Sequence, residues 1–475
     1  MFDPYPPGLP VGPGWVSTED IQEIRFPFDG SVIARAPVGT PALARRALDE
    51  AVGITRQAAV LPSRVRREIL FGVHRALTEW QAEFEGLLVA ETGKPLTDCR
   101  TEVARTLITW QAAAEEVSRL HGETVPLDLA PSGDGLTGFW VRKPIGVVVG
   151  IAGFNYPLLL ASHKIAPAIA AGCPVIVKPA PQTPLATLWL VHLVREAGLP
   201  AAMTQLVTGD AEVGSALVTD RRIGAVSFTG SAAVGHRIAQ AAAPTKTLLE
   251  LGSNAALVVA EDADLDAAVN AVLRGGFYAS GQACISVQRI LVVEVVATEF
   301  SERLLARLNE IVVGDPREEK TRVSTLIDQR STRRVLDWVF EAVAAGARLA
   351  AGGEAEGGVI RPTVLLDVPD GVACWDEEVF GPVVCVRRVS DIDDAFRQVN
   401  ASRYGLHAAV FTRSLNTAFR AVDELEVGGV VVNEVPGFRS DTMPYGGVKD
   451  SGIGREGPRF AVEEFTVTRM AVIRT

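Results

Sequence analysis

The chain has few of the residues that build metal centres or disulfide frameworks. Its 475 residues include five cysteines with no CxxC pair and six histidines with no HxxxH or HExxH spacing, so no metal-ligand set is visible. The odd number of cysteines argues for reduced thiols. Because the N-terminus also lacks the pattern of a signal peptide, we expect a cytoplasmic protein without a bound metal.

Clustered positive charge and long apolar runs are missing as well. A net charge of −11 argues against nucleic acid or an anionic membrane surface as a partner. The longest apolar stretch, residues 145–161, is interrupted by Asn155 and Pro157, so no segment is expected to cross a membrane. What remains is a globular composition with 48% hydrophobic residues, in a chain long enough for two or three domains.

Strand and helix patterns alternate through most of the chain. A first series of βα units ends near Leu251, and a second runs from a strand at 256–259 through a helix capped by Asp264 to a strand at 429–432. Thr183, which precedes a proline, is the expected N-cap of a helix in the first series. Repeated βα units predict an α/β fold with two Rossmann-like domains, each with a parallel sheet covered on both faces. The predicted strands of the first series lie at 146–151, 174–177, 204–207, 225–228 and 246–251.

Two further segments fit neither series. Residues 123–142 are predicted to be extended around a turn at 132–135, and the tail 466–474 alternates as a strand does. A β-hairpin paired with a C-terminal strand leaves backbone edges that another copy of the chain could cover. We therefore expect a homo-oligomer, with a homodimer and a homotetramer both open.

Cys284 is a candidate nucleophile. It follows small residues, and no second cysteine is near enough in sequence for a local disulfide or a metal site. The same residue could also be an ordinary buried thiol. Glu250 ends an apolar strand just before Gly252, which is where an α/β protein exposes a side chain at a sheet edge. A thiol and a carboxylate in such positions could cooperate.

Two glycine-rich segments could bind phosphate. Residues 452–457 have GxGxxG spacing, but no βαβ unit surrounds them, which weighs against a dinucleotide-binding turn. Residues 230–235 have the glycine spacing of a Walker loop without its lysine and hydroxyl residue, so ATP binding is not expected. Gly230 and Ser231 form a turn after a strand, where free N–H groups of the next helix could face a pyrophosphate or merely close a βα turn.

Six motifs, in order and with fitting separations, resemble the NAD(P)-dependent aldehyde dehydrogenase superfamily over essentially the whole chain. They are Gly153-Phe-Asn-Tyr-Pro157, Val177-Lys-Pro179, Phe228-Thr-Gly-Ser231, Glu250-Leu-Gly252, Gly281-Gln-Ala-Cys284 and Glu378-Val-Phe-Gly-Pro382. The resemblance implies an NAD(P)-binding domain at 1–122 and 143–250 and a catalytic domain at 251–450. It also implies an oligomerisation arm at 123–142 with a C-terminal strand in 451–475.

The resemblance gives three residues catalytic roles. Cys284 matches the nucleophile, whose thiolate attacks the aldehyde to form a thiohemiacetal. Asn155 matches the donor that, with the backbone N–H of Cys284, stabilises the negative oxygen. Glu250 matches the base that activates water to hydrolyse the thioester left by hydride transfer, which favours a free acid as product over transfer to coenzyme A.

NAD or NADP is the implied cofactor. Lys178 matches the residue that binds the adenosine ribose, and Ser231 matches the one at the pyrophosphate. Glu378 matches a carboxylate on the nicotinamide ribose, and Phe380 matches the residue that orients the ring. Pro181 stands where many NAD-preferring members carry a glutamate that repels a 2′-phosphate, so we expect NADP to be tolerated alongside NAD. The implied cofactor-binding residues are Lys178, Gly230, Ser231, Phe154, Glu378 and Phe380.

The substrate is implied more loosely. Segments 102–105 and 438–447 resemble the branch with the lactaldehyde, phosphonoacetaldehyde and non-phosphorylating glyceraldehyde-3-phosphate dehydrogenases. Arginines that match Arg105 and Arg439 bind anionic groups there, and Tyr156 is a further candidate contact, whereas Ala283 replaces a third arginine. We therefore expect a small anionic or hydroxylated aldehyde, although Arg105 could instead pair with a surface glutamate.

Other functions remain open at this stage. A semialdehyde or aromatic aldehyde dehydrogenase of broad specificity would use the same catalytic residues. A cofactor-independent thiol esterase would also use Cys284 but would need a histidine base, and no histidine has a comparable setting. A non-catalytic descendant of the family would be expected to lose Cys284 or Glu250, and the chain keeps both.

Overall fold

The structure is a computed structural model that describes residues 5–474. Over these residues the α-helices, numbered in chain order, are α1 (Pro41–Ala59), α2 (Ser63–Glu79), α3 (Gln81–Thr92), α4 (Leu96–Glu116), α5 (Pro157–Ala171), α6 (Leu185–Glu196), α7 (Ala211–Val218), α8 (Ala232–Ala242), α9 (Leu265–Gly275), α10 (Glu294–Arg307), α11 (Gln329–Ala344), α12 (Ala373–Asp376), α13 (Ile392–Asn400), α14 (Leu415–Glu424) and α15 (Pro458–Glu464). The strands are β1 (Leu9–Val11), β2 (Gly14–Val16), β3 (Ile21–Arg25), β4 (Val32–Pro37), β5 (Glu123–Val125), β6 (Leu136–Pro144), β7 (Val147–Ile151), β8 (Val175–Lys178), β9 (Thr204–Leu206), β10 (Ile223–Thr229), β11 (Lys246–Glu250), β12 (Ala256–Val259), β13 (Arg289–Val293), β14 (Arg348–Ala351), β15 (Ala355–Glu356), β16 (Val359–Ile360), β17 (Thr363–Leu366), β18 (Val383–Val389), β19 (Tyr404–Gly405), β20 (His407–Phe411), β21 (Gly429–Val432), β22 (Val448–Lys449), β23 (Gly452–Ile453) and β24 (Thr466–Arg474).

The first large sheet has six strands in the order β23-β11-β10-β7-β8-β9. Strands β7 to β11 are parallel, and β23 joins the edge antiparallel to β11. The strand order reverses between β7 and β10, so the carboxyl ends of these two strands open a crevice between their loops. Such a switch point is the usual ligand-binding place in an open α/β sheet.

The second large sheet has seven strands in the order β14-β17-β18-β13-β12-β20-β21. All neighbours in it are parallel except β14 and β17. Strand β12 follows β11 after only five residues, so the two sheets are joined directly. The α/β fold class predicted from the alternating pattern is confirmed.

Local predictions of strand bounds and helix caps hold with one exception. Observed strand bounds differ from the predicted ones by two residues or fewer, and the Asp264 carboxylate caps α9 by accepting from the N–H of Ala267 at 3.0 Å. The predicted cap at Thr183 is wrong, because α6 begins at Leu185. A carboxylate from α3 replaces it: buried Glu91 accepts from the N–H groups of Leu185 and Ala186.

A third sheet is formed by β24, β6 and β5 in that order, which confirms the predicted pairing of a hairpin with the C-terminal strand. The register runs from Thr466 opposite Pro144 to Arg474 opposite Leu136. The segment just before β24 lies elsewhere: β23 belongs to the six-stranded sheet, and α15 packs against α5. Among the helices of residues 5–474, none has the length and apolar character needed to cross a membrane.

Candidate active site

A cavity of about 440 Å³ opens at the switch point of the first sheet. Its wall comes from the segments after β7, β10 and β11, from the loop that carries Cys284, from the segment just before β18 and from the segment after β21. Of the predicted site residues, only Lys178 does not line it. The predicted residues that line the cavity are Cys284, Glu250, Asn155, Gly230, Ser231, Phe154, Glu378, Phe380, Arg105, Tyr156 and Arg439.

The loop that leads to Cys284 has an unusual backbone. The φ angles of Ala279, Ser280 and Gly281 are 48°, 56° and 75°. These values lie in the left-handed region, which residues other than glycine rarely adopt. Asp98 of α4 accepts a hydrogen bond from the N–H of Ala279 at 2.9 Å. The Ser280 hydroxyl accepts from the N–H of Ser324 at 2.9 Å and donates to its carbonyl at 3.1 Å. These contacts fix the approach to the nucleophile.

The Cys284 thiol is partly buried in the cavity wall. Its Sγ lies 3.2 Å from the hydroxyl oxygen of Tyr445. Burial raises the pKa of the thiol to about 11, the hydrogen bond with Tyr445 opposes the rise, and the carboxyl groups of Glu378 and Glu250 add to it. At neutral pH the group is therefore a thiol, which a base must deprotonate before it can attack.

Asn155 stands between β7 and α5 with its amide at the cavity. Its Nδ2 donates to the carbonyl of Gln282 at 2.9 Å, two residues before the thiol. An asparagine amide has two N–H donors, so one remains for an oxygen bound in the cavity. The start of α5 is held by Glu102, whose Oε1 accepts from the N–H groups of Leu158 and Leu159 at 2.9 and 3.1 Å.

Tyr156 lies beside Asn155 and packs on a buried cation. The ammonium of Lys94 lies 3.7 Å from the centre of the Tyr156 ring and pairs with Glu102. A cation over an aromatic face is attractive, most of all when water is excluded. The phenol therefore has a fixed position at the wall of the cavity.

Glu250 is the last residue of β11, and its carboxyl group is buried without a hydrogen-bond partner among the described residues. Burial and then the neighbouring charge of Glu456 raise its pKa well above the usual range. Glu456 behaves oppositely although it is also buried, because Lys164 at 3.0 Å and His163 at 3.2 Å hold its pKa far below the usual range. Of the two carboxyls, Glu250 is the one that takes up a proton.

Arg105 and Arg439 meet at a second buried carboxylate. Arg105 forms a two-point ion pair with Asp441, with nitrogen–oxygen distances of 2.8 and 3.0 Å. The predicted alternative for Arg105 was an ion pair with a surface glutamate. It is wrong, because the partner is an aspartate, Asp441, that is only 2% exposed. Arg439 lies with its Cζ 3.7 Å from the centre of the Tyr445 ring.

The opposite end of the cavity carries Glu378, Phe154 and Phe380. Glu378 accepts from the N–H of Ser253 at 3.0 Å, and burial raises its pKa to about 7. The two phenylalanine rings meet edge to face with centroids 5.7 Å apart. Gly252 lets this carboxyl approach, because a Cβ there would lie 2.6 Å from a Glu378 oxygen.

Gly230 and Ser231 open α8 at the same end. Ser231 is the N-cap residue, and its side chain makes no capping hydrogen bond. The first two residues of α8, Ala232 and Ala233, line the cavity, and no side chain caps the N–H groups of this turn. A helix start of this kind favours an anionic group such as a phosphate.

Lys178 ends β8, outside the cavity described above. Its side chain lies close to α7, since a Cβ added at Gly214 would lie 3.6 Å from the Lys178 Cδ. Burial lowers the pKa of its ammonium to about 8, opposed by the charge of Asp210. Among the described residues no carboxylate lies within ion-pair distance of Lys178, so the ammonium is available to a ligand.

Sequence reasoning missed the residues that surround the thiol and the base from the C-terminal part of the chain. Glu456 lies inside the GxGxxG segment at 452–457, whose glycine spacing gives no signal for a functional carboxylate. Tyr445 lies inside the segment 438–447, in which the resemblance assigns a role only to Arg439. The missed residues that contact or electrostatically influence the predicted site are Lys164, His163, Asp441, Tyr445 and Glu456.

A thiol, a buried carboxyl and an amide at the switch point of a dinucleotide-binding sheet define a class, the oxidoreductases that act on aldehydes. A model of the aldehyde dehydrogenase family matches residues 15–471. The chain belongs to this family.

Individual relatives agree over nearly the full length. A 3-sulfolactaldehyde dehydrogenase of Priestia megaterium is 40% identical over 467 residues, which cover 98% of each chain. The crystal structure of aldehyde dehydrogenase 21 from Physcomitrella patens, in complex with the reaction product succinate, has a TM-score of 0.96 and 37% identity, with 98% of each chain covered. A glyceraldehyde-3-phosphate dehydrogenase from Methanocaldococcus jannaschii, complexed with NADP, has a TM-score of 0.93 and 35% identity, covering 97% of this chain and all of its own.

Proposed function

We propose that the protein oxidises a small anionic or hydroxylated aldehyde to the carboxylic acid, with NAD or NADP as cofactor. The observation that carries this proposal is the meeting of Cys284, Asn155 and Glu250 around one cavity in a chain of the aldehyde dehydrogenase family. A thiol, an amide donor and a carboxyl base are the three groups that covalent aldehyde oxidation needs.

Cys284 starts the reaction. Its thiol loses a proton to solvent water, and the sulfur attacks the carbonyl carbon to give a thiohemiacetal. The free N–H of the Asn155 amide and the backbone N–H of Cys284 stabilise the oxygen that becomes negative; removal of one such donor typically raises the barrier by about 2.7–4 kcal/mol. When bound, the nicotinamide supplies the acceptor for the hydride that leaves this carbon.

Glu250 completes the reaction by hydrolysis. The thioester on Cys284 is attacked by a water whose proton passes to the Glu250 carboxylate, and the thiol is released with the acid product. Because burial raises the pKa of Glu250, its carboxylate holds a proton more strongly than an ordinary carboxylate does. That shift suits a group that must take up and release a proton.

The residues at the far end of the cavity fit a nicotinamide dinucleotide. The start of α8 at Ser231 provides unpaired N–H groups for the pyrophosphate, and the buried Glu378 carboxyl suits ribose hydroxyls. Lys178 offers a buried ammonium for the second ribose, and no carboxylate of the described residues forms an ion pair with it. Pro181 presents no carboxylate that would repel a 2′-phosphate, which supports use of NADP alongside NAD.

An anionic substrate is supported by the other end of the cavity. Arg105 and Arg439 both line it, and two buried nitrogen atoms of Arg439, Nε and Nη2, have no hydrogen-bond partner within residues 5–474. Tyr156 borders the same region. The names of the relatives agree with this chemistry, since 3-sulfolactaldehyde and glyceraldehyde 3-phosphate both carry an anionic group.

This proposal includes a homo-oligomer and a division into three parts. Residues 1–122 and 143–250 are the NAD(P)-binding domain, residues 251–450 are the catalytic domain, and residues 123–142 with 451–475 are the oligomerisation arm and C-terminal strand. The edge strand β24 exposes Met470 and Val472 by 44% and 55%, which favours cover by another copy of the chain. Light scattering would separate a dimer from a tetramer. All five cysteines are free thiols, which supports a cytoplasmic location.

The direct test is an assay of the purified protein with sulfonated, carboxylated, phosphorylated, hydroxylated and aromatic aldehydes, each with NAD and with NADP. Reduced nicotinamide and free acid should form in equal amounts, and Cys284→Ser should form neither. Ester hydrolysis without any aldehyde oxidation would instead identify a cofactor-independent thiol esterase. Equal rates with all aldehydes would favour a dehydrogenase of broad specificity.

A further inference from the structure

The two arginines at the substrate end of the cavity differ in what they contact. Arg105 uses Nε and Nη2 on the two oxygens of Asp441, at 3.0 and 2.8 Å. Arg439 has no such partner: its nearest carboxylate oxygens, on Asp441 and Glu456, are both 3.7 Å away. Its side chain is 6% exposed, and its Nε and Nη2 make no hydrogen bond within the described part of the chain. A buried guanidinium in this state favours an anionic ligand.

A count of charges around Arg439 leaves one positive charge unmatched. Asp441 cancels Arg105, and Glu456 cancels Lys164, whose ammonium lies 3.0 Å away. Glu250 does not cancel Arg439, because burial and the charge of Glu456 favour its protonated form. His163, which lies 3.6 Å from Asp441 and 3.2 Å from Glu456, is left out of this count. Without it, the cluster has one cation more than it has charged carboxylates.

Asp441 stays charged under ordinary conditions. Although its burial alone would favour protonation, interactions with His163 and Arg105 hold the pKa of its carboxyl well below the usual range. It therefore occupies the fork of Arg105 permanently, and a ligand that approached Arg105 would also approach this negative charge. Close like charges at a binding site weaken binding, and natural interfaces use them to reject a wrong partner.

We propose that this cavity selects aldehydes whose distant anionic group carries a single negative charge, such as a carboxylate or a sulfonate, and that Asp441 sets this selectivity by occupying Arg105. A phosphate monoester carries about 1.5 to 2 negative charges at neutral pH and would need a second free guanidinium. Asp441 acts through Arg105 and is a positioning residue, since it does not itself line the cavity. The inference rests on the proposed function and narrows its substrate class.

Two aldehydes with the same hydroxylated three-carbon skeleton test the proposal. 3-Sulfolactaldehyde ends in a sulfonate and glyceraldehyde 3-phosphate in a phosphate. We expect kcat/KM of the wild-type enzyme to favour the sulfonate by about tenfold or more, and Asp441→Asn to move this ratio toward the phosphate by about tenfold. Each value is divided by kcat/KM of the same variant for lactaldehyde, which lacks the anion, so that a general loss of activity does not enter the ratio.

A matched control removes a carboxylate elsewhere. Asp393 forms an exposed ion pair with Arg420 at 2.7 Å, and Asp393→Asn should leave the sulfonate-to-phosphate ratio where it was. Arg439→Gln should lower kcat/KM for both anionic aldehydes relative to lactaldehyde. A wild-type preference for the phosphate, or an Asp441→Asn ratio equal to that of the wild type, would overturn the proposal.

Calorimetry on the wild-type enzyme keeps the proposal testable if Asp441→Asn does not fold. Binding of 3-sulfolactate should be about tenfold tighter or more than binding of 3-phosphoglycerate. Tighter binding of the phosphate would again overturn the single-charge selectivity. Failure of the proposed function would give another result. None of the three aldehydes would then reduce NAD or NADP, and this outcome does not depend on how tightly the two acids bind.

Discussion

The hydroxyl oxygen of Tyr445 lies 3.2 Å from the Sγ atom of Cys284. Burial keeps the pKa of this phenol well above its usual range, so the hydroxyl retains its proton and can donate to a thiolate. The guanidinium of Arg439 over the same ring favours negative charge in this region. Tyr445 is thus the described side chain that can stabilise the charged form of the nucleophile directly.

Tyr445→Phe should slow the reaction of Cys284 with iodoacetamide. A hydrogen bond to a charged group contributes about 1.5–3 kcal/mol, which corresponds to a shift of about one to two pH units in the thiol titration. The shift should be upward from the present pKa of about 11, so less thiolate is present at any lower pH. The measurement is the alkylation rate against pH. Tyr404→Phe, in the same cavity but bonded to Glu377, is the control, and equal rates for the two variants would contradict the role of Tyr445.

The predicted part of the site came from motifs at the ends of parallel strands. Asn155 follows β7, Ser231 follows β10 and Glu250 ends β11, so topology alone brings these residues to one crevice. Asp441, which pairs with Arg105, and Glu456, which helps to raise the pKa of Glu250, could not be found in this way. Asp441 stands 336 positions from Arg105, in a loop without periodicity, and only the folded chain brings the two together.

The same limit explains the wrong helix cap. Thr183 and its following proline satisfy the local rules for a helix start, and sequence reasoning weighs only local partners. Glu91, more than ninety positions earlier, provides the oxygens in the structure, because α3 packs against α6. Strand bounds were predictable since apolar runs in buried parallel strands depend on the local sequence.

Glu250→Gln should separate hydride transfer from hydrolysis. The amide cannot accept a proton, so the thioester on Cys284 should accumulate after the first turnover. We expect a burst of reduced nicotinamide of about one equivalent per active site and then a rate lowered by about 10²- to 10⁴-fold. Rapid mixing with absorbance detection measures both phases.

The pH dependence of the wild-type enzyme is a second check on Glu250. Its pKa is raised, and the base must be deprotonated to accept a proton from water, so the hydrolytic rate should rise with pH through that raised value. Glu250→Gln should lose this rise. A Glu250→Gln variant with no burst and the wild-type steady rate would show that another group activates the water.

Lys178 should titrate far below an ordinary lysine. Its pKa is about 8 because of burial, so the amine is about half neutral at that pH, whereas a typical lysine has a pKa of about 10.4. Acetylation at low reagent concentration, followed by mass spectrometry over a pH series, should give a midpoint near this value for Lys178. NAD or NADP should protect the amine. Asp210→Asn should lower the midpoint further, and a midpoint above 10 would contradict the role of burial.

Asp98 should hold the nucleophile loop in its active conformation. Ala279 and Ser280 have φ angles of 48° and 56°, and each such residue costs about 1–2 kcal/mol unless neighbouring contacts hold it. Asp98→Leu removes the acceptor of the Ala279 N–H, while Asp98→Asn keeps an oxygen in its place. The leucine variant should lose about tenfold in kcat and in the rate of Cys284 alkylation, with a smaller change in KM, and the asparagine variant should recover most of both. A leucine variant whose thiol reacts at the wild-type rate would show that Ser324 and the packing around Gly281 suffice to hold the loop.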